Sequence, residues 1–120
     1  MEIKTRILLA EDDNHLSELM KEALEEAGYA VTVSSDGQSA INTFDKHKFD
    51  ICLLDIMMPL KDGFMVAKKI RQQSDVIPIL FISTKTMEED KIKGYLTGAD
   101  DYIPKPFSLK ELLLKIEVLL

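Results

Sequence analysis

The chain has a single cysteine, no apolar run long enough to cross a membrane, and no tract rich in glycine, serine or proline. One cysteine, Cys52, excludes an internal disulfide framework and is typical of a reducing compartment. A membrane-spanning helix needs about 20 apolar residues, and residues 1–6 lack the apolar stretch of a signal peptide. We therefore expect a cytoplasmic protein with no membrane segment.

Basic residues are in the minority, since 15 lysines and arginines face 21 aspartates and glutamates and the formal net charge is −6. Binding to a nucleic-acid backbone needs a basic patch, so we do not expect this chain alone to bind DNA. Its 120 residues are the length of one domain, and a domain of this size buries a core without disulfide or metal support. We treat residues 1–120 as a single domain.

Five short segments have the pattern of β-strands. Residues 7–10, 51–54 and 77–82 are continuous apolar runs, which is typical of strands covered on both faces of a parallel sheet. Residues 29–34 alternate in polarity and residues 101–104 contain a proline, which favours edge positions. These segments predict a parallel sheet with strands 1, 3 and 4 inside.

Helical patterns fill the intervals between the strands. Apolar residues at i, i+3, i+4 and i+7 predict a first helix that ends at Gly28; its apolar positions are Leu16, Leu19, Met20, Ala23, Leu24 and Ala27. Further helices are predicted over residues 38–46, 63–73 and 87–97, and a fifth begins at Ser108, with Glu111 at the capping-box spacing. The fold class is therefore α/β, a doubly wound five-stranded parallel sheet of order 2-1-3-4-5 with five helices.

The last helix has more apolar residues than one buried face needs. Its predicted buried stripe consists of Leu109, Leu112, Ile116 and Leu120, with Leu113 at its edge. Leu114 and Val118 fall on another face, which indicates either a slightly apolar surface or an interface with a partner.

Polar and charged side chains follow the inner strands at the points where these strands end. They are Glu11, Asp12 and Asp13 after strand 1, Asp55 after strand 3, Ser83 and Thr84 after strand 4, and Lys105 after strand 5. The carboxyl ends of parallel strands meet at one rim, which is where doubly wound sheets bind ligands. Taken singly, each residue has an ordinary explanation as a helix-start acid or a turn residue, but together they predict a site.

The chemistry of this rim favours a hard cation. Glu11, Asp12 and Asp55 carry three negative charges, Lys105 carries one positive charge, and one Mg²⁺ (or Mn²⁺) would balance the sum. Mg²⁺ takes one or two carboxylates together with waters and phosphate oxygens. A cation beside an aspartate, with a lysine and a hydroxyl opposite, is suited to phosphoryl transfer to that aspartate.

Four segments in order resemble the receiver domains of two-component response regulators along essentially the whole chain. They are residues 7–13 (ILLAEDD), residues 53–59 (LLDIMMP) with Asp62 and Gly63, residues 82–84 (IST), and residues 98–107 (GADDYIPKPF). Each segment alone is a weak signal, whereas the four with family-like spacing are a strong one.

The resemblance implies a role for each residue of the rim. Asp55 would accept the phosphoryl group of a sensor histidine kinase, and Asp12, Asp55 and the backbone carbonyl of Met57 would hold the metal, with Glu11 acting through water. Lys105 would pair with the phosphoryl oxygens, and the Lys105–Pro106 peptide would be cis. Ser83 would move onto the phosphoryl group and Tyr102 would turn inward behind it, which makes the domain a phosphorylation-dependent switch and not a turnover enzyme.

The similarity extends to the OmpR/PhoB-type subfamily, whose members have a winged-helix DNA-binding output. In that subfamily the active receivers form homodimers through helix 4, strand 5 and helix 5. The apolar patch maps to Ile92, Tyr95 and Leu113, and the charged pairs map to Lys91 with Glu111 and to Asp101 with Lys115. We expect an N-terminal receiver of a longer regulator that binds DNA only through an output domain absent from this chain; a stand-alone receiver is the alternative.

Two positions near Asp55 depart from the family pattern. Thr84 replaces a small residue and should hinder small phosphodonors, while Met57 does not orient water, which predicts slow autodephosphorylation.

Three other functions fit the sequence less well. A hydrolase of the haloacid dehalogenase type needs a second acid two residues after the nucleophile, where this chain has Met57. A flavin-binding module needs a phosphate loop that Glu11 and its neighbours would repel. A degenerate receiver that acts only by protein interaction is opposed by the complete set of rim residues.

Overall fold

The computed structural model describes residues 3–85 and 87–120 and contains one parallel sheet of five strands. The strands are β1 (Arg6–Ala10), β2 (Ala30–Ser34), β3 (Ile51–Asp55), β4 (Ile79–Ser83) and β5 (Asp101–Pro104). Their order is β2-β1-β3-β4-β5. The predicted fold class is confirmed, with the alternating strand and the proline-containing strand at the two edges.

The helices are α1 (Asn14–Glu26), α2 (Gly37–Lys46), α3 (Gly63–Gln73), α4 (Glu88–Leu96) and α5 (Leu109–Leu119). Side-chain oxygens of Asp13, Asp36, Asp62 and Ser108 cap α1, α2, α3 and α5 by accepting a backbone N–H three residues on. The predicted cap at Ser108 is therefore confirmed. Within the described ranges, no helix combines the length and the apolar character needed to cross a bilayer.

Both faces of the sheet are covered, which explains the continuous apolar runs of the inner strands. Alternate residues such as Leu8, Leu54 and Phe81 face the core that α2 and α3 complete. Their neighbours, for example Leu9 and Leu53, face the core under α1 and α5. Cys52 belongs to the first core and is fully buried, and burial raises the pKa of its thiol to about 12. Cys52 is therefore a core residue.

Four apolar positions predicted to face the core lie at the surface instead. Leu19 is 45 % exposed and Ala27, the C-cap of α1, is also exposed. In α5, Leu109 and Leu120 are 37 % and 49 % exposed, because they lie at the two ends of the helix. The buried positions of α5 are Leu112 and Ile116, while Leu114 and Val118 point outward as predicted.

Gly37 allows α2 to start directly beneath the loop formed by residues 57–62. Its backbone N–H donates to the carbonyl oxygen of Pro59 at 3.2 Å. A Cβ added to Gly37 would lie 1.7 Å from the carbonyl oxygen of Lys61. Because Gly37 has no side chain, the loop that follows β3 can lie directly against the start of α2.

We expect Gly37→Ala to lower the free energy of unfolding by about 2 kcal/mol or more, because either the loop or α2 must move. Gly28→Ala is the matched control, since Gly28 has a φ of +98° but no atom within 4 Å of an added Cβ. It should cost only the backbone term of about 1 kcal/mol. Urea denaturation measures both variants, and equal losses would contradict the steric argument.

Candidate functional site

The carboxyl ends of four strands bring the predicted rim residues together. Asp55 and Ser83 are the last residues of β3 and β4, and Glu11 and Lys105 directly follow β1 and β5. Strand register aligns these ends, since Ala10 pairs with Leu54, Asp55 with Ile82, and Ser83 with Pro104. Parallel pairing therefore collects side chains that are far apart in the sequence.

Lys105 joins the two buried carboxylates of the rim. Its Nζ donates to Oε1 of Glu11 at 2.6 Å and to Oδ2 of Asp55 at 3.0 Å. Glu11 and Asp55 are only 1 % and 5 % exposed. A buried carboxylate is unfavourable without a partner, so this bridge is what permits two of them at one place.

Glu11, Asp12 and Asp55 form a cluster of oxygen donors. Each offers a carboxylate oxygen, and these oxygens lie within 4.8 Å of one another. Asp12 is exposed to solvent, whereas the other two are buried. A cluster of three carboxylates, two of them buried and one open to solvent, offers the oxygen ligands that a hard divalent cation prefers.

The two ion pairs of Lys105 also set the protonation of the rim. Burial raises the pKa of Glu11 to about 7, against the opposing hydrogen bonds from Lys105 and the backbone of Asp13. Burial alone would lower the pKa of Lys105, but its hydrogen bonds to Glu11 and Asp55 outweigh that effect and raise it. Lys105 therefore stays charged, and burial opposes the ionisation of Glu11.

Ser83 and Tyr102 lie behind the rim and share neighbours. Ser83 is fully buried, and its Oγ accepts a hydrogen bond from the backbone N–H of Lys85 at 3.1 Å. The hydroxyl of Tyr102 donates to the carbonyl oxygen of Lys85, and burial raises the pKa of this phenol. The resemblance implies an inward and an outward position for Tyr102, and the structure shows the inward one, with 5 % of the residue exposed.

Tyr102 fits inside because a glycine of α4 faces it. A Cβ on Gly94 would lie 3.2 Å from the ring of Phe81 and 3.5 Å from that of Tyr102. The rings of Phe81 and Tyr102 are 6.1 Å apart at a tilted angle. Gly94 is the buried residue of α4, so this helix rests on the sheet mainly through backbone and the aromatic pair.

Residues 57–62 form a closed loop whose two ends meet at Asp55. The N–H of Gly63 donates to the carbonyl oxygen of Ile56 at 2.8 Å, and Met57 N–H donates to Oδ1 of Asp55 at 3.2 Å. Within the loop, Lys61 N–H donates to Pro59 oxygen at 2.9 Å, across Leu60. Leu60 has a φ of +71°, so these residues have the geometry of a classic γ-turn, a strained conformation.

Two further features predicted near the rim are present in the structure. The Lys105–Pro106 peptide bond is cis. Asp13 caps α1 and its carboxylate accepts from the N–H of Leu16, as predicted for a helix-start acid. His15 and His47 are exposed.

The family follows from a match to a known domain. Residues 7–117 match the model of the response regulator receiver domain. The chain belongs to the response regulator receiver family. The rim residues lie where the four family-like segments of the sequence come together.

Curated relatives of this receiver domain are transcriptional regulatory proteins. RprY of Bacteroides fragilis (strain YCH46) is 47 % identical over 120 residues, which are 100 % of this chain and 51 % of that protein. The alkaline phosphatase synthesis regulator PhoP of Bacillus subtilis (strain 168) is 39 % identical, over 96 % of this chain and 48 % of that protein. The chain thus spans about half the length of these relatives.

Solved receivers have the same fold. The chemotaxis protein CheY4 of Vibrio cholerae superposes with a TM-score of 0.94 at 32 % identity, over 98 % of this chain and 100 % of that chain. TrrA of Thermotoga maritima, in complex with Mg²⁺ and BeF, has a TM-score of 0.88 at 32 % identity, over 97 % of this chain and 99 % of that chain.

The predicted interface residues lie on α4, β5 and α5. Ile92 and Tyr95 are 51 % and 48 % exposed. Leu113 is half-buried and packs on the core under α1 and α5, because its side of α5 faces the sheet. The neighbouring Leu114, which the prediction assigned to another face, is 53 % exposed.

The charged residues of this surface are close enough to interact within the receiver. Lys115 donates to Oδ2 of Asp101 at 2.9 Å, and this hydrogen bond raises the pKa of Lys115. Both side chains are about one third exposed, so the pair contributes little to stability. Lys91 lies 6.0 Å from the ring centroid of Tyr102, and Glu111 is exposed on α5.

Sequence patterns missed a hydrogen-bonded arginine that holds the end of α4. Arg71 in α3 donates to the carbonyl oxygens of Gly98, Ser74 and Ile77 and to Oδ2 of Asp100. An arginine in the last turn of a helix is usually assigned to the helix dipole. Only the packing of α3 beside the loop after α4 shows that Arg71 connects them.

We expect Asp55→Asn to raise the free energy of unfolding by roughly 1 kcal/mol in the absence of divalent cations, because it removes one of three crowded carboxylates. Asp75→Asn, at an exposed position, is the control and should change stability by less than about 0.5 kcal/mol. Urea denaturation at pH 7 in low salt measures both. A loss of stability in Asp55→Asn would show that its pairing with Lys105 outweighs the repulsion.

Proposed function

We propose that this receiver is a phosphorylation-dependent switch in which Asp55 accepts a phosphoryl group from the phosphohistidine of a sensor histidine kinase. The observation that carries the proposal is the geometry of one carboxylate. Asp55 ends β3, is bridged by Lys105 at 3.0 Å, and has carboxylate oxygens of Glu11 and Asp12 within 4.8 Å. This arrangement presents a nucleophilic oxygen with the charges needed to hold a phosphoryl group.

The donor set at the rim fits Mg²⁺ or Mn²⁺. We propose that Asp12, Asp55 and the carbonyl oxygen of Met57 hold the ion, with Glu11 behind them. The support is the cluster of three carboxylates, which one lysine neutralises only in part, and the Mg²⁺ bound by the related receiver TrrA. When bound, the ion would neutralise charge on the transferring phosphoryl group.

The residues of the chain supply the remaining steps of transfer. A carboxylate oxygen of Asp55 attacks phosphorus while the bond from phosphorus to the histidine nitrogen breaks, and the nitrogen keeps the electron pair. The ammonium of Lys105 already lies beside Asp55 and can pair with a phosphoryl oxygen. The hydroxyl of Ser83 can donate to another oxygen once it leaves the N–H of Lys85.

We propose that the same event controls the surface of α4, β5 and α5. The support is a chain of contacts in which the loop after Ser83 is hydrogen-bonded to Tyr102, and Tyr102 packs on Phe81 and Gly94 of α4. Phosphorylation adds charge and strong acceptor oxygens at one end of this chain. This chain of contacts supports a regulatory role for the receiver.

The output of the switch belongs to a longer protein. The relatives are transcriptional regulatory proteins of about twice this length, which supports a DNA-binding output outside this chain. A net charge of −6 agrees with a receiver that contacts DNA only through such an output.

Incubation with a phosphodonor and Mg²⁺ should add the mass of one phosphoryl group to the wild type and none to Asp55→Asn, as measured by intact mass spectrometry. A phosphorylated kinase domain is the donor of choice, because Thr84 is exposed beside the pocket and should slow small donors. Omitting Mg²⁺ with a chelator should abolish the adduct. If no kinase domain labels the wild type, an interaction-only receiver becomes the better explanation.

The decay of the same adduct tests a second property. Met57 has a thioether, whose Sδ accepts from Oγ1 of Thr84 at 3.8 Å, and this side chain does not orient an attacking water. We expect the phosphoryl group to persist for minutes or longer, and a half-life of seconds would contradict this. Met57→Asn should shorten the lifetime, because an amide can hold the water.

Phosphorylated receivers should dimerise through the surface that carries Ile92, Tyr95 and Leu113. Ile92 is 51 % exposed, so Ile92→Asp places a charge in this surface and should weaken the dimer by about tenfold or more. Val76→Asp is the matched control, since Val76 is 88 % exposed in the loop that precedes β4 and is not one of the predicted interface residues. Sedimentation velocity over a concentration series measures both, and equal affinities would exclude this surface.

A further inference from the structure

Leu60 combines two unfavourable features at the edge of the phosphorylation site. Among the described residues it is the non-glycine residue with a positive φ, +71°, and its side chain is 76 % exposed. A glycine at this position would adopt the same backbone without steric cost. The turn therefore carries a large apolar side chain that neither the backbone nor the core of the receiver requires.

Hydrogen bonds on both sides of Leu60 hold the turn in this conformation. Pro59 oxygen accepts from both Lys61 N–H at 2.9 Å and Gly37 N–H at 3.2 Å. Asp62 caps α3 by accepting from the N–H of Met65 at 2.9 Å. Leu60 is thus held rigidly with its side chain outside, and a strained residue that the structure holds in place is a candidate for function.

Leu60 also lies within the area that a protein centred on Asp55 would cover. A Cβ on Gly63 would be 2.3 Å from the carbonyl oxygen of Asp55, and Leu60 precedes Gly63 by three residues. The Cα atoms of Leu60 and Gly63 are then at most about 11 Å apart. A typical protein partner covers about 800 Å² of each surface, a disc about 16 Å in radius, so a protein centred on Asp55 reaches Leu60.

The two sides of the pocket differ in chemistry. Met57, Pro59 and Leu60 are exposed on the side of the loop, with Met57 54 % exposed; we name these three residues the apolar rim. On the other side, the exposed residues at the start of α1 include Asp12, Asp13 and Asn14. A partner that places its histidine over Asp55 therefore meets apolar side chains on one side and acidic groups on the other.

We propose that Leu60 is a docking residue for the protein phosphodonor and inserts into an apolar contact beside its phosphohistidine. This inference rests on the proposed function, since it names the surface by which the kinase reaches Asp55. The occupant follows from continuity with the site, because the apolar rim begins two residues after the reacting aspartate. Burial of Leu60 in the complex removes apolar surface from water and stabilises the complex. A small donor cannot bury Leu60, so the contact favours protein donors over small ones.

Leu60→Gly and Leu60→Asn test the proposal, since both residues tolerate positive φ and lack the apolar side chain. The donor is the phosphorylated helical domain of a sensor histidine kinase from the same organism, chosen beforehand as the fastest donor to the wild type. We expect kcat/KM for transfer to fall about tenfold in both variants, through KM with little change in kcat. Val76→Asn, the matched control, should stay within about twofold of the wild type.

Two further measurements separate docking from folding and from the chemistry at Asp55. Labelling by phosphoramidate, a donor too small to touch Leu60, should change less than about twofold in both variants. Their melting temperatures should be no lower than that of the wild type, because no packed side chain is lost. A melting temperature lower by more than about 4 °C in both would show that Leu60 packs within the receiver and would overturn the proposal.

The outcomes distinguish the two hypotheses. If the wild type is labelled by the kinase domain and both variants are labelled at the same rate, the docking inference is wrong while the proposed function stands. The same conclusion follows if the variants change only self-association in sedimentation, which would assign Leu60 to a second copy of the chain. If no donor labels the wild type at Asp55, the proposed function itself fails.

Discussion

The bridge from Lys105 to Glu11 and Asp55 is the interaction on which the site depends. Parallel strands deliver their carboxyl-terminal residues to one rim whatever those residues are, and here two of them are carboxylates that are almost completely buried. Without the ammonium between them, one carboxylate would have to take up a proton or return to solvent. With it, Asp55 stays in place and the cluster remains under-neutralised, which is the condition for binding a cation and a phosphoryl group.

The rest of the receiver fixes the position of that bridge. The two cores hold the sheet, and a close approach at Gly37 fixes the loop after β3. The helix α4 is held differently, through Gly94 on the aromatic pair and through Arg71 at its carboxyl end. A helix with few buried side chains rearranges at lower cost than one embedded in the core, so the packing of α4 is compatible with the proposed switch.

The loop that follows β3 combines a positive φ with an exposed apolar side chain at Leu60. A left-handed leucine costs about 1–2 kcal/mol relative to an unstrained residue, and this cost is located a few residues from Asp55. The surrounding hydrogen bonds from Lys61 and Gly37 maintain it. Backbone strain is common at functional sites. The proposed docking role would explain why Leu60, which the core does not require, is held in a strained conformation.

The sequence by itself determined the fold class, the strand order, the helix bounds to within a residue or two, and the identity of the rim. It did so because periodicity reports which faces are covered, and because parallel strands collect their ends at one edge. It did not determine which apolar residues at helix ends are buried, since Leu109 and Leu120 have the right period but lie at the ends of α5. The tertiary structure alone decided two further points. Arg71 reaches a loop 27 residues away, and Leu60 has a strained backbone with a positive φ. Each depends on contacts between elements that are distant in the sequence, and no local pattern encodes such contacts.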